Sequence, residues 1–191
     1  GLIAAHPGLA NRQFPSSPQA ARAAAIGLDS PIIGGYGRGM EIALFQPDIA
    51  GNVGTTLRTA ACFGVAAHII EPCGFPFSDA ALRRAGMDYA ARADVRRHAD
   101  WTMFRNWSAA AAKRIVLLTT AGATPLPAFT FTPDDLLLLG AESSGVPAHV
   151  HETAAARIAI PMRPGFRSLN VAVAAGIALA EALRQTKGFP G

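Results

Sequence analysis

Two continuous apolar runs in the middle of the chain constrain its fold more than any other feature of the sequence. Residues 115–118 are IVLL and residues 136–139 are LLLL. A strand with one face in water alternates polar and apolar residues, whereas a strand covered on both faces is apolar throughout. The two runs therefore predict central strands of a parallel sheet.

The segments around these runs alternate between strand and helix patterns. Further strands are predicted over 41–45, 67–70 and 156–160, and helices over 52–63, from the N-cap Asp100 to residue 112, and over 170–185. Such alternation predicts an α/β domain, with helices on both faces of a mostly parallel sheet. The last helix is apolar nearly all round, which indicates burial on more than one side.

The first 39 residues differ from the rest of the chain. They contain four prolines, end in a glycine-rich stretch at 34–39 and show no sustained hydrophobic period. Such a segment buries too little apolar surface to offset its ordering entropy. We expect residues 1–39 to be a flexible leader or an added segment, and residues 40–191 to form the working domain.

Composition excludes some classes of protein. The net charge of +4 on 191 residues is compatible with a nucleic-acid partner, although it is too small to establish one. Cys62 and Cys73 lie outside any zinc-like cluster, so we expect two small core residues and no metal. The longest apolar run, 171–180, is far shorter than the ~20 residues that cross a bilayer, which predicts a soluble, cytoplasmic protein.

Three loops at predicted strand ends carry polar residues that a plain turn does not need. They are 47–54 (PDIAGNVG), 140–147 (GAESSGVP) and 160–170 (IPMRPGFRSLN), and the helix after the first carries Arg58. Ligands bind at the carboxyl ends of parallel strands, and helix N-termini attract phosphate. The structural alternative is that Asn52, Ser168 and Asn170 cap helices and that Arg58 is merely solvated.

The order and spacing of these loops resemble a known family. The pattern N-x-G-x-x-x-R at 52–58, G-x-E-x-x-G-x-P at 140–147, and I-P-M followed by S-L-N within 160–170 resembles the three motifs of the SpoU/TrmH branch of SPOUT methyltransferases. The resemblance covers essentially all of residues 40–191. The stretches 69–75, 82–89 and 181–185 are most similar to the TrmL subfamily, which methylates the ribose 2′-hydroxyl of the wobble cytidine or uridine of tRNA.

The resemblance implies a fold, a reaction and a set of site residues. The fold is the SPOUT fold with a C-terminal trefoil knot. The protein is expected to be a homodimer that shares its active site between subunits. The methyl donor is S-adenosylmethionine, and its contacts are assigned to Leu118, Thr119, Gly140, Glu142, Ile160, Met162, Ser168 and Leu169. Catalysis is assigned to Arg58, with Asn52, Ser168 and Asn170 as positioning groups.

Two points of that assignment stay open at this stage. Arg58 is either the base or a clamp on the adjacent phosphate that stabilises the developing alkoxide, because a guanidinium keeps its proton far above neutral pH. Arg58, Arg83 and Arg84 are expected to contact tRNA, with Arg163 and Arg167 as helpers; the alternative is a solvated arginine face. Alternative functions are methylation of ribosomal RNA or another tRNA position, and RNA binding without catalysis.

Overall fold

The computed structural model describes residues 39–77, 93–122 and 124–191. The predicted leader, apart from Gly39, lies outside the described residues, as do the predicted RNA contacts Arg83 and Arg84.

The described residues form one sheet in which every neighbouring pair of strands is parallel. The strands lie in the order β3-β2-β1-β6-β4-β7-β5. The two apolar runs are β4 and β6. The strand β6 is the central one of the seven and pairs with β4, with Ile115 opposite Leu136. This confirms the predicted parallel sheet. The strand bounds are β1 (Glu41–Phe45), β2 (Ala66–Ile70), β3 (Val95–His98), β4 (Arg114–Leu118), β5 (Thr124–Pro125), β6 (Asp135–Leu139) and β7 (Ala156–Ala159).

Helices cover both faces of the sheet. They are α1 (Ala50–Phe63), α2 (Trp101–Ala110), α3 (Ala148–Thr153) and α4 (Val171–Thr186). Leu57 of α1 and Leu179 of α4 share one core cluster, whereas Phe104 of α2 and Val150 of α3 share the other. Successive strand residues alternate between the two clusters, as the geometry of a strand requires. The predicted α/β architecture is confirmed.

Side chains cap two of the four helices. The Asp100 carboxylate accepts a hydrogen bond from Met103 N at 2.8 Å, as predicted for the start of α2. Asn170 caps α4, and its Oδ1 accepts from Ala172 N and Val173 N. The N-cap of α1 is Ile49, so the alternative that Asn52 caps this helix is wrong. The side chain of Asn52 has other partners.

Three short elements were not predicted from the sequence. The strand β3 is Val-Arg-Arg-His, which lacks an apolar signal, and β5 and α3 are too short to show a period. The expectation of a core position for Cys62 is wrong, because it lies on the exposed stripe of α1 together with Gly51, Thr55 and Arg58. Cys73 is half-buried, and burial raises the pKa of its thiol to about 11.

Ionisable side chains form a buried cluster across β1, β2 and β3. His68, which is fully buried, lies 2.7 Å from Glu41 Oε2 through Nε2 and 2.9 Å from His98 Nε2 through Nδ1. Lys113 lies 3.1 Å from the other oxygen of Glu41. A carboxylate only accepts, so neutral His68 carries its proton on Nε2, and His98 Nε2–H donates to His68 Nδ1.

Burial dominates the titration of the two histidines in this cluster. It lowers the pKa of His98 to about 4, with the charges of His68 and Arg96 adding to the effect. It also lowers the pKa of His68, despite the opposing hydrogen bond and charge of Glu41. Burial raises the pKa of Glu41, but hydrogen bonds and charge from His68 and Lys113 outweigh it, and the net direction is downward. The cluster therefore holds neutral imidazoles beside an ionised carboxylate.

No helix in the described part of the chain is both long and apolar enough to cross a membrane. Nor do the described residues include a group of three or more His, Cys, Asp or Glu side chains arranged so that it could hold a metal ion.

Candidate functional site

A cavity of about 680 Å³ lies at the carboxyl ends of the neighbouring strands β1, β6, β4 and β7. This is where ligands bind in open parallel sheets, and the volume is that of a pocket for a small organic molecule. Its wall comes from the segments that follow the four strands: Ile49 and Asn52; Leu118 to Ala121; Gly140 to Glu142 with Ser144 to Val146; and Ile160, Met162 and Arg167 to Val171.

Asn52 joins the three predicted loops at this cavity. Its Nδ2 donates to Glu142 Oε1 at 2.9 Å, and its Oδ1 accepts from Asn170 Nδ2 at 2.9 Å. The other oxygen of Glu142 accepts from Asp48 N at 2.8 Å. Side chains separated by 90 and 118 positions along the chain thus form one continuous network.

The network fixes the orientation of both asparagine amides. Asn170 Oδ1 is occupied by the N–H groups that begin α4, so the NH₂ group of Asn170 must face Asn52. Asn52 then presents its oxygen to Asn170 and its NH₂ group to the carboxylate of Glu142. An amide nitrogen has two N–H groups, and each of these bonds uses one. Both side chains line the cavity and keep a second donor there.

A second link connects the first loop to the second. Asp48 Oδ2 accepts from Ser143 Oγ at 2.6 Å and from Ser143 N at 2.9 Å. These hydrogen bonds, from the side chain and then from the backbone of Ser143, lower the pKa of the Asp48 carboxyl. The two loops are therefore joined in both directions: Asp48 N donates to the carboxylate of Glu142, and Ser143 N donates to the carboxylate of Asp48.

The second loop folds tightly on itself at Gly140. A Cβ atom on Gly140 would lie 2.5 Å from the carbonyl carbon of Gly145 and 2.7 Å from its oxygen. Ala141 and Gly145 also exchange backbone hydrogen bonds in both directions, at 3.0 and 2.8 Å. Only glycine therefore fits at position 140 without a shift of the backbone.

The hydrogen-bond network predicts a specific cost for Glu142→Gln. The glutamine side chain has one accepting oxygen, so its NH₂ group must face a donor, either Asp48 N or Asn52 Nδ2. We expect the free energy of unfolding to fall by about 1 kcal/mol, measured by urea denaturation, since one half-buried donor loses its partner. Glu152→Gln, on the exposed side of α3, removes the same charge and is the matched control. Equal stability of the two variants would contradict this reading of the network.

The structure brings together most of the residues singled out from the sequence. The cavity is lined by all eight residues assigned to the methyl donor, namely Leu118, Thr119, Gly140, Glu142, Ile160, Met162, Ser168 and Leu169. Asn52 and Asn170 line it as well. Arg58 does not: it is exposed on α1 and lies outside the cavity wall.

Sequence reasoning missed several residues of the cavity wall. Ile49 and Val146 were passed over as loop positions, and Ala174 was read only as part of the apolar helix. His151 was not singled out either, although it lines the cavity from α3. A six-residue helix shows too little periodicity to reveal which of its side chains faces inward.

Comparisons with known proteins agree with this architecture. The family described as "SpoU rRNA Methylase family" matches residues 39–180. A tRNA (cytidine(34)-2′-O)-methyltransferase of Ancylobacter novellus is 55% identical over 150 residues, covering 78% of this chain and 95% of the relative.

Solved structures give the same picture. One that concerns "the 2-OH methylation of C/U34 on tRNA" is 38% identical with a TM-score of 0.71, and covers 80% of this chain and 99% of its own. An AdoMet-bound rRNA methyltransferase from Sinorhizobium meliloti is 31% identical with a TM-score of 0.69, covering 76% of this chain and 56% of its own.

These similarities span most of the chain and include the three loops that meet at the cavity. The α/β fold with its parallel sheet is that of the structural neighbours, which are SpoU-type methyltransferases. The chain belongs to the SpoU methylase family.

Proposed function

We propose that the protein transfers a methyl group from S-adenosylmethionine to the ribose 2′-hydroxyl of the wobble nucleotide of tRNA. The observation that carries the proposal is the network of Asn52, Glu142 and Asn170, which holds three family motifs against one cavity. Two relatives, 55% identical to this chain over 150 residues and 57% identical over 144 residues, are named tRNA (cytidine(34)-2′-O)-methyltransferases. A tRNA substrate also implies that the protein acts in the cytoplasm.

The cavity residues fit the proposed methyl donor. Its volume, about 680 Å³, suits a molecule of that size, and the apolar side chains of Leu118, Ile160 and Met162 suit the faces of an adenine ring. Gly140 lines the same cavity without a side chain. When bound, the donor supplies an electrophilic methyl group on a sulfonium centre. The eight lining residues named above are our candidates for its contacts.

Side chains at one end of the wall suit a ribose. Asn52 and Asn170 each keep an N–H donor at the cavity, and Ser168 adds a hydroxyl beside them. Such fixed donors orient a sugar so that its 2′-oxygen points along the line of methyl transfer. We assign these three residues to positioning.

Arg58 is our candidate for the group that assists loss of the 2′-hydroxyl proton. Its position outside the cavity wall of its own subunit is explained if a second copy supplies the guanidinium. An exposed apolar stripe supports a homodimer: Val173 and Ile177, one turn apart on α4, are 51% and 41% exposed, and Ile49 at the cavity rim is 50% exposed. We propose that these residues pack against a second subunit.

The activity is tested by incubating the purified protein with tritiated S-adenosylmethionine and unmodified tRNA, and by locating the methyl group with mass spectrometry of nuclease fragments. We expect one methyl group on the ribose of the wobble nucleotide. Methylation of ribosomal RNA, with none on tRNA, would establish the alternative substrate. Donor binding without transfer to either RNA would favour a binding protein.

The dimer is tested by Val173→Glu. A carboxylate placed in an apolar interface loses its hydration without gaining a partner, so we expect dimers to dissociate to monomers at micromolar concentration, as measured by light scattering. Met103→Glu is the control, because Met103 is 41% exposed on α2, on the opposite face of the sheet. Dimers that persist in Val173→Glu, or a wild-type protein that is monomeric, would exclude this interface.

A further inference from the structure

Phe166 is the most exposed large apolar side chain among the described residues, at 72%. It lies in the third loop, between two stretches that line the cavity: Ile160 and Met162 on one side, and residues 167–170 on the other. The ring has no aromatic partner within the described part of the chain. Folding alone does not explain a phenylalanine in this position, because its burial elsewhere would be favourable.

The backbone presents Phe166 on a preformed turn. Residues 163–166 are Arg-Pro-Gly-Phe, Gly165 has φ of 93°, and Phe166 N donates to Arg163 O at 3.4 Å. Proline in the second position and a glycine of positive φ in the third are the requirements of a type II turn. Proline limits the freedom of the turn before any ligand binds, so little further entropy is lost on binding.

Arginines flank the ring. Arg163 and Arg167 are both exposed, and residues 160–170 contain no acidic side chain. Among the described residues, neither guanidinium takes part in an ion pair or a side-chain hydrogen bond. An apolar protein interface would bury these two charges without compensation, whereas phosphates would neutralise them.

We infer that the turn at 163–166 is a platform on which a base next to the methylated nucleotide stacks, with Arg163 and Arg167 holding the phosphates on either side. The inference rests on the proposed function, since it takes an RNA ribose to occupy the adjoining cavity. An aromatic ring between cations at the rim of a cavity is the arrangement that binds single-stranded nucleic acid. A loop nucleotide unstacked for reaction offers a free base face at this point.

Binding of a fluorescent anticodon stem-loop RNA, measured by anisotropy without methyl donor, tests the platform. Phe166→Ala should weaken affinity by about 5- to 150-fold, the range that stacking on one aromatic ring provides. Phe166→Tyr should bind as the wild type does, and Phe166→Leu should bind as weakly as the alanine variant. The slope of log affinity against log salt concentration should be unchanged in Phe166→Ala. In Arg163→Ala it should be smaller in magnitude by about one, because one phosphate contact is lost.

Abasic RNAs identify the stacked base. One loop position should exist where removal of the base weakens binding to the wild type but not to Phe166→Ala. The platform is excluded if Phe166→Leu binds as tightly as the wild type, or if abasic losses are the same for both proteins. It is equally excluded if Phe166→Ala converts a dimer to monomers, which would place the ring in a protein interface.

The assay separates this inference from the proposed function. Affinity is measured without a transfer step. If the wild type binds the stem-loop through Phe166 but methylates no tRNA, the proposed function alone is excluded. If the wild type and Phe166→Ala both methylate the wobble ribose with the same KM for tRNA, the platform alone is excluded.

Discussion

Arg58→Ala is expected to reduce methyl transfer to tRNA by a factor on the order of 10²–10³ or more, to background, while donor affinity is largely unchanged. The guanidinium is the one cation of the first motif, and it lies outside the cavity wall that the donor would occupy. Single-turnover transfer and calorimetric titration of the donor measure the two effects separately. Arg105→Ala, at an exposed position on α2, removes the same charge from another surface and should be fully active.

Arg58→Lys distinguishes the two roles left open for this residue. Lysine keeps the positive charge but lacks the planar guanidinium that binds phosphate through two N–H groups. If Arg58 clamps phosphate, the lysine variant should retain part of the rate, with a pH profile like that of the wild type. If Arg58 is the base, the profile should shift, since an ammonium group loses its proton at lower pH than a guanidinium.

Complementation tests which subunit supplies Arg58. Asn170→Ser should keep the cap of α4, because serine is a good N-cap, but lose the amide that meets Asn52. A heterodimer of Arg58→Ala with Asn170→Ser has one intact site only if each cavity takes its arginine from the other subunit. We expect activity in co-purified heterodimers and none in either variant alone. Inactive heterodimers would place Arg58 with its own cavity, and full activity of Arg58→Ala would overturn its assignment.

The sequence predicted the fold well because its strongest signals are local. The runs at 115–118 and 136–139 became β4 and β6, and the loop after each came to the same cavity, as the geometry of parallel strands requires. Asp100 and Asn170 were predictable caps because the rule involves only neighbouring residues. The trefoil knot remains an expectation of the resemblance, as do the roles of the individual site residues.

What the sequence did not predict depends on contacts between distant residues. No spacing rule links Asn52 to Glu142 and Asn170, so the network became visible only in three dimensions. The position of Arg58 outside the cavity wall was missed for the same reason, since a motif gives the order of residues along the chain but not their places in space. The strand β3 was missed because His98 and Arg96 belong to a buried ionic cluster that no hydrophobic pattern can reveal.

That cluster predicts a loss of stability in mild acid. The charged and titratable groups of this cluster are Glu41 of β1, His68 of β2, Arg96 and His98 of β3, Asp94 just before β3, and Lys113 just before β4. The uncharged rings of Phe104 and Trp107 from α2 pack against them. His98 has an ordinary pKa of 6.5 in the unfolded chain and about 4 in the folded one. Between these values the unfolded state binds more protons, so acidification favours unfolding.

The free energy of unfolding should therefore be highest above pH 6.5 and fall as the pH drops toward 4. Each tenfold difference in proton affinity corresponds to about 1.4 kcal/mol, so His98 accounts for roughly 3 kcal/mol, and His68 acts in the same direction. Urea denaturation at a series of pH values measures the change. The part of this change that comes from His98 should level off below its folded pKa.

His98→Gln tests whether this histidine is the source. The glutamine amide can still donate to His68 Nδ1 but does not titrate, so we expect the loss of stability between pH 6.5 and 4 to shrink by about 3 kcal/mol. His149→Gln, at an exposed position on α3, should lose as much stability as the wild type does over the same range. A His98→Gln variant with the pH dependence of the wild type would show that His98 is not the source of the acid-induced loss of stability.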